Sequence, residues 1–137
     1  VLMASGEELP ENVKAIIADC GYTSEWDEFK CEANALHIPW FPVLNAASVM
    51  SRLRDGYDFK QASALEQVKQ SRIPTLFIHG SDDELVPYSM LDKLYSAAAC
   101  EKECLTVNGA GHALSSSVEP ELYWNTVESF IEKYSEK

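Results

Sequence analysis

The sequence has no apolar stretch near the roughly 20 residues that a bilayer-spanning helix requires. It also lacks the basic-then-apolar opening of a secretory signal, so cytoplasmic residence is the default expectation. Cations are scarce: 11 Lys and Arg stand against 22 Asp and Glu, giving a formal net charge of −11 over 137 residues. A surface this negative repels phosphate backbones and anionic headgroups, which argues against nucleic acid and membrane surfaces as partners. Glycine and proline number six each, too few for a collagen-like or low-complexity chain. Four cysteines are present, and Cys100 and Cys104 are separated by three intervening residues, but no second thiol or histidine pair completes a zinc pattern. Reduced structural thiols are therefore the default, with a disulfide as the open alternative, and no metal is expected. Cys20 and Cys104 are placed at strand ends, where a small apolar side chain packs well. An initiator methionine is missing as well, and Val1-Leu2-Met3-Ala4-Ser5-Gly6 reads as the tail of a helix entered in mid-course.

What remains is the composition of one soluble domain, 46% hydrophobic and 24% charged, long enough for a core of moderate size. Three short apolar runs stand out: Val13 to Cys20, Ile73 to His79, and Cys104 to Val107. Runs that are apolar on both faces and separated by helical stretches suit parallel strands buried on both sides. Pro74 belongs at the start of its strand, because it cannot donate to the ladder. Leu91, Leu94, Tyr95 and Ala98 repeat with helical spacing behind Pro87, and Tyr123, Val127, Phe130, Ile131 and Tyr134 do so near the end. Ser63-Ala64-Leu65-Glu66 has the spacing of a capping box opening a short helix into Gln70. The order predicts an α/β layered fold, with three parallel strands and flanking helices.

Residues 21–60 interrupt this rhythm. They are rich in aromatics, with Pro39 and Pro42 opposing any long helix, and forty residues far exceed what one crossover needs. An inserted helical lid is expected, with helices from Glu25 to Leu36 and from Leu44 to Leu53. Tyr22, Trp40 and Phe41 are candidates to line a substrate pocket. The alternative is that these rings, with Trp26, form the insertion's own core. His37, in the same segment, carries no assigned role.

Two loops follow the second and third strands. One reads His79-Gly80-Ser81-Asp82-Asp83-Glu84-Leu85-Val86-Pro87, the other Asn108-Gly109-Ala110-Gly111-His112-Ala113. Both leave the carboxyl ends of their strands, where open α/β sheets bind ligands. An acid on one and a histidine on the next can meet in space, and a carboxylate bonded to one imidazole nitrogen leaves the other free to act as a general base. Asp82 competes with Asp83 for the acid's place, and an Asp-rich turn can equally bond its own backbone. His79, ending a strand, is expected to be a structural hydrogen-bonding residue.

The His-Gly-x-x-Asp-x-x-Val-Pro pattern at His79 to Pro87, followed by Gly-x-Gly-His at Gly109 to His112, resembles the C-terminal part of an α/β-hydrolase. The likeness is closest to bacterial serine esterases and the related prolyl-oligopeptidase-like peptidases. It covers nearly the whole chain, weakly over residues 21–60 and strongly from Ile73 to Phe130. By position the resemblance implies that Asp83 is the acid and His112 the base of a Ser-His-Asp triad that needs no cofactor. The substrate it implies is a small-molecule ester, or a peptide if the parent is a peptidase. The family's nucleophile sits in a Gly-x-Ser-x-Gly elbow. No such motif occurs here, although 14 serines do.

The expectation is therefore a C-terminal portion of a hydrolase domain over residues 1–137, supplying acid and base and inactive alone. A non-catalytic α/β binding module that retains these loops is the alternative from another class. Without the strand that precedes it in the family, the Ala15 to Ala18 run has an open apolar edge, so self-association through that edge is expected.

Overall fold

A computed structural model of the chain describes residues 1–135. The three apolar runs form three strands: β1 (Ile16–Asp19), β2 (Thr75–Gly80) and β3 (Lys102–Val107). They lie side by side in the order β1-β2-β3, all parallel. Central β2 is buried at all six positions, as a strand covered on both faces must be, and Pro74 stands just before it. The outer strands differ from the expectation of two apolar faces. β3 buries only Leu105 and Val107, and β1 buries only Ile16 and Ala18, because each has one flank unpaired within the described sheet.

Between β1 and β2 come α1 (Glu25–Ala35), α2 (Trp40–Asp55) and α3 (Ala64–Gln70). α4 (Tyr88–Ala97) links β2 to β3, and α5 (Ser115–Val118) and α6 (Pro120–Ser135) follow β3. Side-chain alternation in the sheet sorts them into layers. Ile16, Ala18 and Phe77 pack against Ala64 and Val68 of α3 and Leu91 and Leu94 of α4, with Leu2 from a 3₁₀ turn at Leu2–Ala4. Leu76, Ile78, Leu105 and Val107 face the other way and meet Val127, Phe130 and Tyr134 of α6. The opening residues thus end in a buried 3₁₀ turn where a helix tail was expected, closed by Ser5 Oγ donating to the Leu2 carbonyl at 2.8 Å.

The predicted helix starts hold where a side chain caps them. Ser63 Oγ accepts the Glu66 N–H at 3.3 Å, and Ser24 Oγ accepts the Asp27 N–H at 3.1 Å. Glu66 does not complete the capping box; its carboxylate pairs with Lys69 at 2.6 Å. α2 begins four residues before the predicted Leu44, with a non-helical Phe41 inside it, so the prolines bend the helix at its start without ending it. Ile131 departs from the α6 stripe and is exposed. Val127, Phe130 and Tyr134 are buried over β2 and β3 with half-buried Tyr123 packed against the same cluster, while Ile131 lines a surface with Ala15 and Ile17 at the β1 side. Cys104 is not at a strand end: β3 starts two residues earlier, and the residue is exposed although level with Phe77 in the sheet. All four cysteines are free. No helix among the described residues is long and apolar enough to cross a membrane.

Candidate active site

Register decides what meets at the carboxyl edge of the sheet. Gly80 pairs with Val107 and Asp19 with Ile78, and the Cys20 N–H donates to the Ile78 carbonyl at 2.9 Å. The two loops therefore start level and run side by side. Three hydrogen bonds hold them together: Ser81 N–H to the Val107 carbonyl at 3.0 Å, Asp82 N–H to the Ala110 carbonyl at 3.0 Å, and Gly109 N–H to Ser81 Oγ at 2.8 Å. The backbones approach so closely at Gly80 that a Cβ there would lie 2.1 Å from the Ala110 oxygen. Gly109, at φ +75°, supplies the left-handed turn.

On this frame Asp83 and His112 meet. Asp83 Oδ1 accepts the N–H groups of Leu85 at 3.0 Å and Val86 at 2.8 Å, fixing the carboxylate within its own turn. Oδ2 lies 2.9 Å from His112 Nδ1, and an ionised carboxylate only accepts, so the proton sits on Nδ1. The Asp83 side chain is wholly buried, whereas that of His112 is 38% exposed. The pair thus has one sealed end and one open end. Asp82, the rival acid, is exposed and bonded to Ser81 Oγ at 2.6 Å.

Burial pushes the Asp83 carboxyl up, but hydrogen bonds from the Val86 N–H, His112 and Cys20 outweigh it and hold the group below the ordinary carboxylate range. A carboxyl depressed on folding stabilises the native state above its unfolded value, about pH 4, and that contribution is lost as pH falls through the folded value. Urea midpoints recorded from about pH 6 downward should therefore fall more steeply below about pH 4 in the native chain than in Asp83→Asn. Parallel pH curves would remove Asp83 as a source of acid sensitivity.

His79 is fully buried, and its Nε2 donates to the Val86 carbonyl at 2.9 Å, 3.4 Å from Asp83 Oδ2. Its ring stands edge-on to Tyr88, whose hydroxyl bonds Thr106 Oγ1 at 2.7 Å. It clamps the far end of the Asp83 turn, in line with the structural role expected of it. His37 is exposed, one residue past the end of α1 and its C-cap.

Sulfur, nitrogen and oxygen atoms of Cys20, His79 and Asp83 lie within 4.8 Å of one another, a donor set that can be asked to hold a metal. Its chemistry fits a hydrogen-bonded cluster better. Nε2 of His79 spends its proton on a carbonyl, Asp83 is already engaged by amides and an imidazole, and burial pushes the Cys20 thiol up to about 12. A zinc ligand from cysteine must be a thiolate, and a thiol pushed this high does not supply one near neutrality.

The aromatic candidates scatter. Tyr22 lines a cleft with Leu2, Asp19, Cys20 and Ala64, while Trp40 lines a separate cavity of about 330 Å³ between α1 and α2. Phe41 is 64% exposed. The rings also touch one another, Trp26 edge-on to Trp40 at 6.4 Å and Trp40 to Phe41 at 6.2 Å. Two residues at the site were not anticipated. Cys20 accepts the Ala113 N–H at 3.2 Å, and its position at the end of β1, on the same edge as both loops, was the available signal. Glu28 of α1 has its carboxyl pushed up by burial and by Glu32, with His112 and Asp83 within electrostatic reach. Only its spacing of four from Glu32 marked it.

Residues 50–120 match the sequence profile of a family described as serine aminopeptidase, S33. The chain is 26% identical over 136 residues to the uncharacterized protein YqkD of Bacillus subtilis (strain 168), covering 98% of this chain and 45% of that one. It is 29% identical over 106 residues to alpha/beta hydrolase domain-containing protein 17C of Xenopus tropicalis, covering 75% of this chain and 34% of that one. The Pyrococcus furiosus esterase Pf2001 superposes with a TM-score of 0.71 at 17% identity, over 98% of this chain and 49% of that one. The sheet and its flanking helices are thus those of an α/β-hydrolase fold. The chain spans less than half the length of each of these three proteins.

Proposed function

The chain belongs to the serine aminopeptidase (S33) family of α/β-hydrolases, and from that premise we propose that it carries the acid, Asp83, and the base, His112, of a Ser-His-Asp hydrolase. The observation that carries this reading is the 2.9 Å bond between a buried carboxylate and a half-open imidazole at the carboxyl edge of the sheet. No Gly-x-Ser-x-Gly elbow occurs in the 137 residues, so we assign the nucleophile and its oxyanion hole to sequence outside them.

In the reaction proposed, that serine attacks an acyl carbonyl while His112 Nε2 takes its proton. Asp83 keeps the Nδ1–H tautomer and stabilises the imidazolium, and Nε2 then returns the proton to the leaving alcohol or amine. Water repeats the cycle to free the acid. Helices α1 and α2 act as a lid, whose apolar cavity, lined by Phe29, Ala33, Leu36, Trp40, Val43 and Leu44, takes the apolar part of the substrate. Trp40 is the one sequence candidate in that cavity. A carboxylic ester is the substrate class put forward first, and an amide second, in keeping with the peptidase description that the family carries.

The test compares the isolated chain with the longer protein that contains it, using p-nitrophenyl esters, aminoacyl p-nitroanilides and a fluorophosphonate probe. Labelling and ester turnover are expected only in the longer protein, with the anilides slower. Turnover by the isolated chain that His112→Ala abolishes would overturn the external nucleophile. A longer protein that the probe never labels would overturn the serine mechanism.

A further inference from the structure

Both loops of the candidate pair lean on a third element, the end of β1. Cys20 leaves that strand at φ +53°, and Ala113, next to His112, sits at φ +54°. Neither is glycine, and left-handed backbone in other residues persists only where the surroundings hold it. What joins the two is a hydrogen bond across 93 positions, from the Ala113 N–H to Cys20 Sγ at 3.2 Å. The thiol itself donates to Asp19 Oδ1 at 3.2 Å, and the sulfur lies within 4.8 Å of the Asp83 carboxylate and the His79 ring nitrogen.

The protonation of the sulfur matters here. Burial, only partly offset by the Ala113 amide, pushes the thiol up to about 12, so near neutrality the sulfur keeps its proton. It is then both an acceptor, from Ala113, and a donor, to Asp19 Oδ1. Alanine offers neither function. Serine offers both, on a shorter bond.

We propose that Cys20 is a positioning residue for the Asp83–His112 pair, its S–H anchored on Asp19 Oδ1 while its sulfur holds the base loop through the Ala113 amide and packs against the buried end of the acid. The thiol acts through the two loops and touches no reacting atom. It rests on the acid–base reading only for its catalytic consequence. The arrangement itself is measured without turnover, so its failure and the failure of that reading are separable.

The readout is Asp83. The groups that face it are His79 from β2, the Leu85 and Val86 amides of its own turn, His112 from the next loop, Cys20 from β1 and Glu28 from α1. Behind Cys20 lies Asp19, which accepts the Tyr123 hydroxyl of α6 at 3.2 Å. Loss of the Cys20 sulfur takes away a contact that helps hold Asp83 low and frees the loop that carries His112.

Carbon-detected NMR titration of the Asp83 carboxyl and amide exchange at Ala113 are to be recorded on the 137-residue chain, native, Cys20→Ala and Cys20→Ser. In Cys20→Ala the Asp83 midpoint should rise by about half a pH unit or more. Its Ala113 amide should exchange about tenfold faster than in the native chain. Cys20→Ser should restore most of both. A folded Cys20→Ala chain with native values for both would overturn the proposal, as would a folded Cys20→Ser chain that behaves like Cys20→Ala. Where Cys20→Ala does not fold, the native chain still decides: protection of the Ala113 amide supports the tether, and exchange at the rate of an unstructured peptide overturns it.

Discussion

Replacing His112 with alanine in the longer hydrolase is expected to lower kcat for an activated ester by about 10⁴-fold or more. KM should stay within about a factor of three, because no part of substrate binding is assigned to this ring. The size of the effect follows from the geometry. One imidazole connects a buried carboxylate to solvent, and no other described residue bonds Asp83 Oδ2 from an exposed position. Asp83→Asn should approach the same loss, since an amide in place of the carboxylate can donate to Nδ1 and so favour the wrong tautomer. The double variant should be little worse than either single one, because acid and base act as a unit. Retention of more than about a tenth of native kcat in His112→Ala would remove the ring from the chemistry.

The second large effect is on stability. Gly80→Ala is expected to cost about 3 kcal/mol in urea unfolding of the 137-residue chain. Its Cβ would stand 2.1 Å from the Ala110 oxygen and 2.7 Å from the Ala110 carbon. Neither side can yield cheaply: both are backbone, and the same oxygen accepts the Asp82 N–H. Gly109→Ala is the informative contrast. There the added methyl meets nothing within 4 Å, and the cost is only the left-handed φ of +75°, about 1 kcal/mol. Equal costs for the two substitutions would mean that crowding at Gly80 is relieved by a shift of the base loop.

How far the sequence could be read depended on whether the governing interaction was local. β2 was legible because its buried centre is the unbroken run Leu76-Phe77-Ile78 behind Pro74, and α3 because Ser63 caps it from within the same turn. Asp83 and His112 were legible because glycines at fixed offsets mark where two backbones must cross or turn. The outer strands were overread. Their apolar residues suggested burial on both faces, but position at the edge of the described sheet, which no local pattern encodes, exposes Cys104. Ile131 was overread for a related reason: helical spacing fixes a stripe but not how far the sheet beneath it extends. Cys20 was read as a packing residue, since its partner amide lies 93 positions away. The four-residue α5 has no periodicity to detect.

The crossing at Gly80 also sets how accurately the proposed acid and base are placed. They stand 29 positions apart in the chain. Through the Asp82–Ala110 hydrogen bond, however, the path between them is one residue on the acid side and two on the base side. Positional error grows with the number of soft torsions along a path, and this path has few. It includes no residue of α1 or α2. The lid motion proposed for those helices therefore passes through none of the peptide bonds that set the separation of the pair.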